Sequence, residues 1–167
     1  MSTRAIPTGR IVPLDALEAL AASERAAGRS IALANGCFDL LHVGHLRYLR
    51  AAAAEADCLV VAINDDASVR ELKGAGRPIL TEAERAELVS AVRGVDYVTI
   101  FGGRTVAEVI ARLRPDVHCK GTDYTMMSVP ERDMVISYGG RIAIVGDPKD
   151  HSTRDLLARI ASGAPGA

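Results

Sequence analysis

The sequence predicts an α/β fold, an open sheet of five parallel strands with helices on both faces. Two observations carry that prediction. Short runs such as "CLVVAI" at residues 58–63 are apolar at every position, as strands covered on both faces are. They alternate with longer segments of helical spacing, and such alternation closes into a parallel sheet through right-handed crossovers. Ligands of such sheets sit beyond the carboxyl ends of the strands, where the strand order reverses. The turns that follow strands are therefore where chemistry is expected. At 167 residues the chain suits one well-cored domain, 1–167, with 1–10 and 162–167 expected to be loose.

The elements follow in order. Leu14, Leu17 and Ala21 set the apolar spacing of a first helix over 14–27, and Gly28 stops it. Residues 30–35 ("SIALAN") form the first strand, and 45–56 ("HLRYLRAAAAEA") a helix on propensity as well as pattern. Residues 57–64 ("DCLVVAIN") are the second strand, followed by a long turn, "NDDASVRELKGAGRP". The helix over 81–94 opens with Thr81 and Glu84 at capping-box spacing and closes at Gly94. Residues 96–101 are the third strand, and 105–115 a helix with Thr105 and Glu108 again at box spacing and Pro115 at its end. Residues 116–120 make the fourth strand, a helix follows Pro130, 141–146 make the fifth strand, and Ser152 caps a last helix over 153–161.

Composition narrows the partners. A net charge of −1, 4% aromatic residues and no Trp give neither the basic field nor the stacking platforms of a nucleic-acid binder. No nucleic-acid partner is expected. Pro7, Pro13, Asp15 and Glu18 interrupt what an export signal would need as an apolar run, and no segment approaches the roughly 20 apolar residues of a membrane span. Cys37, Cys58 and Cys119 are odd in number and lack C-x-x-C spacing, which suggests reduced thiols in a cytoplasmic setting, with Cys58 in the core.

The chemistry concentrates in "NGCFDLLHVGH", where His42 and His45 stand three apart at a strand-to-helix turn. Two ligands do not close a zinc site, and a helix-borne zinc pair would be four apart with a Glu between. A phosphate fits better: free N–H groups and the helix dipole favour an anion, Gly44 allows close approach, and two imidazoles can donate to its oxygens. Neither a G-x-G-x-x-G turn nor a Walker loop is present, so other groups must hold a polyphosphate. Lys73 and Arg77 on the glycine-rich "LKGAGRP" offer cations. Ser152, Thr153 and Arg154 at the mouth of the last helix offer hydroxyls and a guanidinium, beside the plain reading of Ser152 as an N-cap. "KGTDY" brings Lys120 and Asp123 to the same crevice, where a sugar or polyol phosphate can meet them.

Taken together, "GCFDLLHVGHLRYL", Lys73 with "GRP", and "STR" resemble the HxGH nucleotidyltransferases, in particular the small cytidylyltransferase-like family, over about residues 30–160. Within it, "LKGAGRPI" and "KGTDY" are most similar to the heptose 1-phosphate adenylyltransferases. The resemblance implies a Rossmann-like fold and transfer of AMP from ATP, carrying Mg²⁺, to D-glycero-D-manno-heptose 1-phosphate, giving ADP-heptose for lipopolysaccharide or related glycans. It implies His42 and His45 as phosphate donors in the transition state, and Lys73 and Arg154 as triphosphate ligands. Asn35, Gly36, Cys37 and Phe38 would be backbone near the nucleotide. Lys120, Gly121 and Asp123 would face the acceptor or the metal. Asp39 and Asp65 are candidates for positioning lysines or a hydrated Mg²⁺, against a plain reading as exposed loop carboxylates. A homodimer is expected, as is a separate sugar kinase that supplies the acceptor. Thr122 replaces the glycine of the usual "KGGDY", and Arg154 stands where the heptose enzymes often carry threonine. Two rival readings remain open: a cytidylyltransferase acting on glycerol 3-phosphate or another small alcohol phosphate, and a nucleotide- or metal-binding module without turnover.

Overall fold

The structure, a computed structural model, describes residues 8–148 and 152–163. The loose ends expected of the chain lie largely outside them. Among the described residues, six strands, β1 (Arg10–Ile11), β2 (Ile31–Gly36), β3 (Cys58–Asn64), β4 (Tyr97–Phe101), β5 (Val117–Lys120) and β6 (Arg141–Ile144), form one sheet in the order β1-β4-β3-β2-β5-β6. Every pairing is parallel. Among the described residues, six helices, α1 (Leu17–Ala26), α2 (Val43–Ala53), α3 (Asp66–Lys73), α4 (Glu82–Ser90), α5 (Ala107–Leu113) and α6 (Arg132–Ser137), lie in the connections between strands, and α7 (Thr153–Ser162) follows the last strand.

Successive side chains of a strand point to opposite faces, and the central strands bury both. Ile31 and Leu33 of β2, with Val60 and Ala62 of β3, pack beside Leu17, Ala21, Val109, Ile110 and Leu113 of α1 and α5. Ala32 and Ala34, with Leu59, Val61 and Ile63, pack beside Leu49, Ala52, Ala86 and Val89 of α2 and α4. The uniformly apolar pattern of these strands is explained by that double coverage. From β2 the chain steps outward through β3 to β4, then returns to the other side of β2 with β5. The strand order therefore reverses between β2 and β5, and the site must be sought at their carboxyl ends.

Four expectations need correction. The sixth strand, β1, has two exposed residues on the edge of β4, too few to show a period. The first helix is preceded by a 3₁₀ turn, Leu14–Ala16, and starts only at Leu17. The long turn after β3 contains α3, capped by Asp65, whose carboxylate accepts from Ser68 N at 2.7 Å. The capping box of Thr81 and Glu84 forms with both bonds, but Thr105 and Glu108 make none. There the N-cap is Val106, so Thr105 falls one residue too early, and Glu108 instead accepts from Arg112 one turn on. Among the described residues no helix is long and apolar enough to cross a membrane.

Candidate functional site

The histidine turn leaves β2 at Gly36 and enters α2 at Val43. Phe38 turns the chain with φ +48° and tucks its ring back over Gly36, where an added Cβ would lie 3.1 Å from that ring. Gly36 thus lets the strand end fold tightly upon itself. His42 is the extended N-cap of α2, and its carbonyl accepts from Leu46 N at 3.2 Å. His45 lies in the first turn, with Gly44 just before it. The imidazoles stack on each other, centroids 3.7 Å apart and planes at 24°, while Phe38 meets His45 edge-on at 5.2 Å. The gap between the two rings is therefore closed, and any approach to this turn is from beside the stacked pair, at the start of the helix.

Across the reversal point, Asn35 of β2 faces β5. Its Oδ1 accepts from Lys120 Nζ at 2.9 Å, which fixes the amide orientation because an ammonium only donates. His118 Nε2 lies 3.2 Å from the same oxygen, so it carries the proton in that contact. His118 is fully buried, and burial, aided by the Lys120 charge, pushes its pKa down to about 3. It is a neutral ring that orients Asn35. Lys120 is buried too, with Glu131 Oε2 at 3.6 Å.

The loop after α3 is tied to the histidine turn. Asp39, 2% exposed, accepts from Arg77 Nε, from Ile79 N at 2.6 Å and from Leu80 N at 3.2 Å. Its carboxylate is thus occupied in holding that loop down, and the exposed-carboxylate reading does not apply to it. Arg77 reaches the site region already paired, whereas Lys73, the last residue of α3, is exposed. The fully buried Arg85 of α4 donates to Cys37 O at 2.6 Å, to Leu80 O at 3.1 Å and to Asp66 Oδ1 at 2.8 Å. Burial raises the Cys37 thiol pKa, and the charges of Lys73 and Arg85 oppose this. Lys73 therefore acts electrostatically on the same turn as the histidines.

At "KGTDY", Gly121 leaves room for the carboxylate of Asp123, whose Oδ1 would be 3.0 Å from an added Cβ. Thr122 Oγ1 donates to Asp147 O at 2.8 Å, and Arg47 of α2 holds the Asp147 carboxylate at 2.8 Å. The threonine that departs from the usual motif thus braces the turn against the segment after β6. Ser152 caps α7, accepting from Asp155 N at 3.1 Å, with Thr153 and Arg154 as the first helical residues. Among the described residues no group of three His, Cys, Asp or Glu side chains is arranged to hold a metal ion.

Residues 33–154 match the family described as cytidylyltransferase-like. The bifunctional protein HldE of Geotalea uraniireducens is 46% identical over 93% of this chain, and that of Hyphomonas neptunium 46% identical over 94%. The chain spans about a third of the length of these relatives, 32% and 33%. Among solved structures, a lipopolysaccharide core biosynthesis protein from Thermoplasma volcanium superposes with a TM-score of 0.62 at 25% identity, covering 73% of this chain and all of that one. With a parallel sheet, an HxGH turn at its point of reversal and a match over most of its length, the chain belongs to the cytidylyltransferase-like family of nucleotidyltransferases.

Proposed function

We propose that this chain acts as a single adenylyltransferase domain, moving AMP from ATP to D-glycero-D-manno-heptose 1-phosphate with release of pyrophosphate. The observation that carries this reading is the reversal of strand order between β2 and β5, where β2 leads to the stacked histidines at a helix start and β5 ends in a buried lysine. The α-phosphate of ATP lies against His42 and His45 at the N-terminus of α2, where N–H groups and the helix dipole favour charge. Lys73 and Arg154 attract the remaining phosphates, and the Ser152–Thr153 helix start adds hydroxyl and N–H donors. Bound Mg²⁺ would supply charge neutralisation on the triphosphate.

The acceptor lies toward Lys120 and Asp123. A sugar phosphate is largely ionised near neutral pH, so its oxygen attacks in line without a Ser-His-Asp array. Catalysis then rests on alignment and on donors aimed at the charge that develops. The likeness to HldE proteins and to a lipopolysaccharide core biosynthesis protein supports ADP-heptose as the product and surface glycan assembly as its destination. A sugar kinase must supply the acceptor. Free cysteines fit a cytoplasmic enzyme, and a homodimer is its expected form.

A pyrophosphate-release screen of four nucleoside triphosphates against a panel of sugar and alcohol phosphates tests this assignment. ATP with heptose 1-phosphate should give the highest kcat/KM. Turnover of CTP with glycerol 3-phosphate, and none with the heptose pair, would overturn both base and acceptor.

A further inference from the structure

Glu131 lies outside every motif of the strand-end turns, at the position just before α6. It is nonetheless buried together with Lys120, their side chains 6% and 8% exposed, and its Oε2 stands 3.6 Å from Lys120 Nζ. That oxygen has no hydrogen-bond partner among the described residues. Lys120 donates to Asn35 Oδ1 at 2.9 Å and lies 5.1 Å from the centre of the Tyr124 ring. An ammonium removed from water needs a compensating charge, and Asn35 gives only a neutral acceptor. The separation of 3.6 Å holds the ammonium by charge without engaging its N–H groups as a tight bond would.

Resting on the transfer reading above, we propose that Glu131 is the positioning residue for Lys120, fixing its ammonium at the carboxyl end of β5 as the seat for the acceptor's phosphate monoester. Glu131 acts through Lys120 and does not touch the acceptor. The charged and titratable groups that face Lys120 are Glu131 from the turn before α6, Asp123 and Tyr124 from the turn after β5, and the neutral His118 from its own strand. Burial lowers the Lys120 pKa, while Glu131 and then Asp123 raise it again. Without the Glu131 charge the ammonium is lost at a lower pH.

Glu131→Gln in the full chain tests this. The acceptor KM at pH 8.5 should rise about tenfold, the ATP KM should stay within about twofold, and the alkaline limb of kcat/KM should move down by about one pH unit. Lowering the pH should restore the acceptor KM of Glu131→Gln but not that of Lys120→Met. A merely structural lesion would not follow pH in this way. The chain has only three lysines, Lys73, Lys120 and Lys149, so lysine-selective NMR can titrate Lys120 without any turnover. Its midpoint should be lower in Glu131→Gln. An unmoved midpoint, or an acceptor KM defect independent of pH, overturns the inference. A lowered midpoint in a protein that turns over no triphosphate supports the coupling of the pair and overturns the transfer reading instead. Should Glu131→Gln not fold, Glu131→Asp withdraws the charge by one methylene and must lower the midpoint by less; no movement there also overturns it.

Discussion

His42 and His45 stack on each other at the start of α2, so each ring fixes its neighbour. Replacing either should leave the fold intact, because neither residue is among the buried core. His42→Ala or His45→Ala should lower kcat by about 10² with little change in thermal midpoint, the size expected when one donor to a developing charge is lost. Steady-state kinetics beside a melting curve checks this, and unchanged turnover would remove the histidines from the chemistry. The HxGH turn is legible in the sequence because its residues are local: strand end, glycine and helix start lie within one short segment. Glu131 has no such signal, since its partner lies across a turn and its importance comes from shared burial. His118 does carry one, a histidine within a strand whose four residues are all buried. Arg85 carries another, a cation on the same helical face as Val89 and Val92.

At the scale of elements, one guanidinium joins three segments that the sequence shows only separately. Arg85 of α4 binds the carbonyl of Cys37 in the histidine turn, the carbonyl of Leu80 before α4, and Asp66 at the start of α3. Glu82 at the head of α4 returns the link by accepting from Asp66 N at 2.8 Å. Arg85→Met keeps bulk but leaves these acceptors unpaired inside the protein. Since Asp66 is 31% exposed and water can partly compensate it, the cost should be about 2–3 kcal/mol, below the full penalty for breaking a buried pair. Urea denaturation measures that loss, and a raised ATP KM should accompany it because α3 carries Lys73. The same region shows where reading elements from sequence stops. The Thr81 and Glu84 box is read correctly because capping is local chemistry, and Thr105 and Glu108 have the same spacing without forming one. Helix α3 is missed because its eight residues are mostly polar and open in an Asn-Asp-Asp run that reads as a turn.

For the molecule as a whole, the site lies on the thinnest central seam of the sheet. β2 pairs with β3 through six residues in register but with β5 through only three, Ala32 to Val117, Leu33 to His118 and Ala34 to Cys119. His118 therefore sits where the two halves of the sheet join, and its protonation state bears on the whole fold. In the unfolded chain an imidazole takes up a proton near pH 6.5, whereas the buried ring resists until about pH 3. Above pH 6.5 both states are neutral and the full stability is present. As pH falls below 6.5 the unfolded state gains a proton that the folded state cannot accept, and stability declines until pH nears 3. Between pH 6.5 and 4.5 this amounts to about 2–3 kcal/mol, on the scale of roughly 1.4 kcal/mol per unit. Carboxylates titrate over the lower part of that range too, so the comparison must be with His118→Gln, which can still donate to Asn35 but has no proton to gain. Urea denaturation at pH 7.5, 6.5, 5.5 and 4.5 should show the parent losing more stability than the variant, with the difference opening below pH 6.5. Parallel losses would mean that His118 accepts a proton inside the folded sheet, and that the Asn35 and Lys120 seam is more open to water than its burial indicates.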